Sequence, residues 1–259
     1  MSQRLLNADL RKEIAAMIFR SNEGHIPSSF SIVDLIHFLY ANVLRFDPLR
    51  PKWDERDYFI LSKGHGAAAL YVVLRKFGFL TEKDILSYSL KDGILGGHPD
   101  CTKVPGAEAS TGSLGHGFPT AAGIAMGLKI QKLPNRVYAL LGDGECNEGT
   151  IWETALVASK QALNNLTVVV DLNGSAAQIL PVDPLAEKWK AFGWDAQEID
   201  GHNEEEMKTA FQSPSYDKPK VIIARTIKGK GVSFVEGHGK WHHKIPTSEE
   251  LDLIYKELT

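Results

Sequence analysis

The chain has 259 residues, 43% of them hydrophobic and 24% charged, with a formal net charge of -3. That length suits one large or two small domains with a full core, and so balanced a charge gives no basis for binding nucleic acid or a membrane surface. Cys101 and Cys146 lack metal or redox spacing and read as reduced thiols of a cytoplasmic protein, and no apolar run approaches the ~20 residues of a membrane span.

In chain order, residues 5–20 carry Leu, Ile and Met at helical spacing among acids, an amphipathic opening helix and not a signal peptide. "SNEGHIPSS" reads as a loop, with Gly24 and Pro27 breaking helices and Ser28 or Ser29 capping a helix over roughly 30–45. "DYFILS" is a short strand, "KGHG" its terminal turn, and "AAALYVVLRKFG" a helix. "STGSLGHG" is a second glycine-rich turn, leading into the helix "PTAAGIAMGLKIQ". "RVYALLG" is a strand, "TIWETALVASKQAL" a helix and "LTVVVDLN" a strand. "AEKWKAFG", "WDAQEID", "NEEEMKTAF" and "KVIIARTI" continue the alternation. Two stretches read as irregular, 91–117 and a C-terminal tail from about 229, and long irregular stretches in a compact domain are often functional.

Strands apolar on both faces, alternating with helices, predict an α/β protein with a mainly parallel sheet flanked by helices. Ligands in such sheets bind beyond the carboxyl ends of the strands. "SKGHG", "GDGE" and "DLNGS" all fall there. About 28 residues separate Gly144 from Asn173, enough for one helix and one returning strand, so both loops should emerge at one edge of the sheet. Asp143 offers a carboxylate and Asn173 an amide oxygen, hard donors suited to Mg2+ or Ca2+ and through it to a diphosphate. Gly142 and Gly144 permit a tight backbone and a close ligand. Each loop alone is an ordinary turn; the pair after two apolar strands is the signal.

That pair resembles the thiamine diphosphate signature, GDG followed one helix and one strand later by Asn. "GHIPSSFSIVDLI", "DYFILSKGHGAAALY", "GGHPD", "STGSLGHGFPTAAGIAMG", "GDGECNEGTIWETALVAS", "PLAEKWKAFGWDAQEIDGHN" and "RTIKGKGVSFVEGHGKWHHKIP" are similar, in order, to the amino-terminal part of transketolase. They span nearly the whole chain and match best the amino-terminal subunits of split transketolases. The resemblance implies a thiamine diphosphate-binding fold, with residues 1–259 as one diphosphate-type domain and the pyrimidine-type domain absent. It implies Asp143, Asn173 and the Ser175 carbonyl as metal ligands. It implies Glu148 at a subunit interface, and Gly112, Ser113 and Leu114 near the aminopyrimidine, with Gly142, Gly144 and His65 also at the cofactor. His25, His65, His98 and His242 match histidines near the thiazolium and substrate, where imidazole moves protons near neutral pH.

Taken singly, each histidine reads as solvated or structural; the set gives the functional reading. His37, His202, Trp152, Trp189 and Trp194 read as structural. Lys228 and Lys230 lie where a phosphate or a solvated turn fits equally. His243 replaces a family glycine beside His242, His116 stands for a usual glutamine and Pro27 for a common glycine. The implied activity is Mg2+-dependent ketol transfer from a ketose to an aldose, with sugars or sugar phosphates as substrates. A separate pyrimidine-domain subunit would complete an α2β2 assembly. Another thiamine diphosphate synthase, a 2-oxo acid component or a noncatalytic cofactor-binding subunit stays open. A nicotinamide-binding Rossmann protein is disfavoured, because no GxGxxG opens the first βαβ unit.

Overall fold

The computed structural model describes residues 7–259. Its sheet has five strands: β1 (Tyr58–Leu61), β2 (Val137–Gly142), β3 (Leu166–Leu172), β4 (Asp195–Asp200) and β5 (Lys220–Arg225), in the order β1-β2-β3-β5-β4. Every pairing is parallel. Parallel neighbours need crossovers, and helices supply them. These are α1 (Ala8–Ser21), α2 (Ile26–Asn42), α3 (Ala67–Lys76), α4 (Glu82–Leu86), α5 (Gly117–Ile130), α6 (Gly149–Lys160), α7 (Leu185–Ala191), α8 (Glu204–Gln212) and α9 (Ser248–Glu257).

Alternation along the strands divides the core into two layers. Tyr138, Leu140, Val169 and Ile222 pack with α1, α2, α3, α8 and α9. Val137, Ala139, Leu141, Val168 and Val170 pack with α5, α6 and α7. Every residue of β2 and β3 is buried, as their unbroken apolar runs require. Trp189 and Trp194 are buried in the second layer, and Trp152 packs against it half-buried.

Two local expectations change. The second helix begins at Ile26, not near residue 30. His25 takes the N-cap position, Pro27 lies in the first turn, and Ser28 and Ser29 are buried inside the helix instead of capping it. Proline is tolerated there because the first-turn N–H has no intrahelical acceptor to lose. The irregular tail from 229 also ends early, in α9. Thr247 and Glu250 form a reciprocal capping box, and Ile254 enters the first core layer. Residues 5 and 6 of the expected opening helix lie outside the described residues; Asn7 is the N-cap and the rest of it falls in α1.

Candidate active site

β2 and β3 pair with Gly142 opposite Asp171, so the loops after them leave the same sheet edge. Asp143 is 1% exposed. Its Oδ1 accepts from Gly144 N at 2.7 Å and its Oδ2 from Ala176 N at 3.2 Å, which draws the two loops together. Burial, and then the nearby Asp171 charge, push the Asp143 carboxyl up despite those two donors. It forms no ion pair among the described residues. Neither Gly142 nor Gly144 has positive φ, so the expected tight backbone is not what selects glycine. Gly144 instead faces open space, with nothing within 4 Å of an added Cβ.

Asn173 donates from Nδ2 to Asp171 Oδ2 at 2.7 Å. Its Oδ1 accepts from Ser175 N at 3.0 Å and from Ser175 Oγ at 2.6 Å. The Ser175 carbonyl accepts from Gln178 N at 3.3 Å. Asp143, Asn173 and Ser175 therefore share one pair of facing loops. Among the described residues no three His, Cys, Asp or Glu side chains converge as a metal group. A cation here would rest on one carboxylate plus neutral oxygens, a set that Mg2+ and Ca2+ accept.

Beneath these loops lies a layer of buried charge. Asp171 is fully buried and meets Lys63 Nζ at 2.6 Å. It also accepts from Ser31 Oγ at 2.9 Å and from Thr226 Oγ1. Burial alone would raise its pKa, but Lys63 and these donors hold the carboxyl below the usual range. Glu145, 1% exposed, accepts from Ser62 Oγ at 2.5 Å, Gly115 N at 2.9 Å and Gly142 N at 3.2 Å. It thereby ties the ends of β1 and β2 to the loop before α5, while burial pushes its carboxyl up.

Lys228 is 6% exposed, which corrects the solvated-turn alternative. Its Nζ donates to Ser175 Oγ at 2.9 Å and lies 3.3 Å from His242 Nδ1. It has no carboxylate partner among the described residues, and burial followed by the Lys63 charge lowers its pKa. The nearby Gly229 N donates to Pro27 O at 3.0 Å, docking this loop on the start of α2.

The histidines gather on the same side. The His25 ring lies 5.5 Å from His65, 5.5 Å from His242 and 4.5 Å from His243, centroid to centroid. His243 thus joins the cluster beside His242, and its Nε2 lies 3.4 Å from Glu23 Oε1. His98 packs on Gly112, where an added Cβ would come within 3.0 Å of its ring. Gly64 needs its missing side chain for the same loop, since a Cβ there would sit 2.7 Å from Gly112 N. Burial, with His243, His242 and His98 adding to it, lowers His25 to about 4. Burial and Lys63 lower His65 to about 2. Both rings are neutral near pH 7, so each holds one donor and one acceptor nitrogen. His25 Nδ1 and Ser29 Oγ are buried without a hydrogen-bond partner, atoms that a bound molecule would satisfy.

Other positions sit differently. Ser113 and Glu148 are exposed and Leu114 is half-buried. His116 is exposed and bonds within its own turn, Nδ1 to Leu114 O at 3.0 Å. His202 has both nitrogens engaged, Nδ1 with Asp34 at 2.8 Å and Nε2 with Ile227 N at 3.0 Å, as a structural residue should. His37 packs near Phe77. His238 lies against Gly174, with Nε2 3.2 Å from an added Cβ there. Sequence reasoning misses Ser62, Lys63, Glu145 and Asp171. The available signal is a charged residue closing an apolar strand run, as Asp171 does in "VVVDLN".

Residues 3–258 match the family model described as transketolase, thiamine diphosphate binding domain. The chain belongs to the transketolase family. Over 256 residues it is 37% identical to one of the named subunits of apulose-4-phosphate transketolase from Phocaeicola vulgatus, covering 96% of this chain and 91% of that protein. It is 39% identical to the 6-deoxy-6-sulfo-D-fructose transketolase subunit SqwG of a Clostridium species, covering 96% and 93%. Among solved structures, Campylobacter jejuni transketolase superimposes with a TM-score of 0.89 at 28% identity. That match covers 97% of this chain and 42% of the Campylobacter chain. This transketolase-family chain therefore spans under half of such transketolases and most of the length of the named subunits. The thiamine diphosphate-binding α/β fold follows from both comparisons. Among the described residues no helix is long and apolar enough to cross a membrane.

Proposed function

We propose that the chain is the diphosphate-binding subunit of a two-component transketolase, moving two-carbon ketol units from a ketose to an aldose with Mg2+ and a separate pyrimidine-domain subunit. One observation carries the reading. Two loops present a buried acid, Asp143, and a buried base, Lys228, neither with an ion-pair partner among the described residues. A divalent cation bound to a diphosphate neutralises both at once. In this reading Asp143, the Asn173 oxygen and the Ser175 carbonyl hold the cation, and Lys228 meets the diphosphate. Gly112, Ser113, Leu114, Gly142, Gly144 and Glu148 line the approach.

When bound, thiamine diphosphate supplies the carbanion and stores negative charge, so the hard chemistry is the cofactor's. The chain's part is to orient and to move protons. Neutral His25 and His65 face the substrate end, where an imidazole both donates to and accepts from sugar hydroxyls and carbonyls. His98 and His242 complete that wall. The names of the relatives as transketolase subunits support a partner chain, with α2β2 as the simplest assembly. Sugars or sugar phosphates are the substrate class, and two free cysteines suit the cytoplasm.

The test is magnesium-dependent retention of thiamine diphosphate by the full chain, followed by ketol transfer after adding the partner subunit. Asp143→Ala should abolish the retention without unfolding the chain, and Asn173→Ala should weaken it less because a neutral donor is lost. Retention by Asp143→Ala equal to wild type would refute the assignment.

A further inference from the structure

Asn173 is useful to a cation only if its oxygen, not its NH2, points at the site. The two ends of an amide are nearly equal in shape, so something must set its polarity. Here both neighbours are chemically unambiguous. On one side stands a carboxylate oxygen of Asp171, which only accepts, 2.7 Å from Nδ2. On the other stands the Ser175 backbone N–H, which only donates, 3.0 Å from Oδ1. A flipped amide would set oxygen against oxygen and N–H against N–H.

Asp171 is held too firmly to adapt to such a flip. Oδ2 takes Lys63 Nζ at 2.6 Å and Ser31 Oγ at 2.9 Å besides Asn173, and Oδ1 takes Thr226 Oγ1. Its backbone oxygen accepts from Asp143 N at 3.1 Å, and its side chain is fully buried. Residues 171 and 173 are two apart at a strand end, which places their side chains on one side of the chain. The donors come from α2 and from the segments after β1 and β5, so one carboxylate gathers three distant parts of the fold behind one ligand.

We infer that Asp171 is a positioning residue that fixes the polarity of the Asn173 amide, turning its oxygen toward the cation. The inference rests on the metal site proposed above. Partners of this kind behind a ligand typically contribute about 10–100-fold to metal affinity.

The test uses the full chain with Mn2+ and thiamine diphosphate, reading Mn2+ binding by electron paramagnetic resonance, with circular dichroism as the folding control. Asp171→Asn should weaken Mn2+ binding by roughly 10–100-fold. The double variant Asp171→Asn/Asn173→Ala should bind no more weakly than Asn173→Ala alone, because Asp171 acts through that amide. A general structural role would make the two losses multiply. Should Asp171→Asn fail to fold, Lys63→Met/Asp171→Asn removes both charges of the buried pair and is measured in the same way. Wild-type affinity in a folded Asp171 variant, or independent losses in the double variant, would overturn the inference and leave the metal site standing. Wild-type affinity in Asn173→Ala would overturn both.

Discussion

Asp143 and Asp171 stand at the ends of adjacent parallel strands, both almost wholly buried, yet their surroundings treat them in opposite ways. Asp171 has a lysine and three further side-chain donors, and its carboxyl is held below the usual range. Asp143 has two backbone N–H groups and a like charge nearby, and its carboxyl is pushed up. A buried charge that is fully paired belongs to the scaffold. A buried carboxylate without a cationic partner either takes up a proton or is available to a bound cation. In the proposed reading Asp171 builds the site and Asp143 offers it.

Substitution should separate the two most sharply. Asp171→Ala strands Lys63 in the interior and should destabilise the chain by about 3–5 kcal/mol in urea unfolding. Asp143→Asn removes a charge that burial and Asp171 both oppose, and should leave the urea midpoint unchanged or raised. Equal losses in both variants would end the distinction. Ser62→Ala tests whether Glu145 belongs with Asp171 in the scaffold. It removes a donor from a buried carboxylate and should cost about 2 kcal/mol in the same assay.

The smallest effect, taken per pH unit, concerns the histidine wall. His25 and His65 are lowered to about 4 and about 2, below the 6.5 of a free imidazole. Between pH 6.5 and 4 the unfolded chain therefore binds more protons than the folded one, and stability rises with pH. Their contribution is present above pH 6.5 and lost as pH falls. Each such proton adds at most about 1.4 kcal/mol per pH unit to the slope. His65→Gln should flatten the slope of urea stability against pH below 6.5; an unchanged slope would mean that the ring is not held neutral.

Much of this is legible in the residues, for identifiable reasons. Mostly apolar runs such as "LTVVV" reveal strands buried on both faces, because a parallel sheet is covered twice. "GDG" and the later Asn are legible as a pair because strand ends on one edge bring their loops together. The sequence places the start of α2 too late, since Pro27 reads as a breaker where a first turn accommodates it. Lys228 and His243 stay undecided in the sequence, because exposure of a loop residue depends on what packs over it. Here Lys228 meets Ser175 and His242, and His243 meets His25.

The sequence by itself determined the alternation of elements, the parallel sheet and the pair of strand-end loops, which are properties of local pattern and spacing, and its motifs carried the resemblance to the family. Tertiary structure alone decided which charges are paired. Lys63 and Asp171 are separated by 108 positions, and Ser31 and Asp171 by 140. Whether a carboxylate is scaffold or ligand depends on the dielectric and the donors that distant segments bring to it, and no local pattern carries that information.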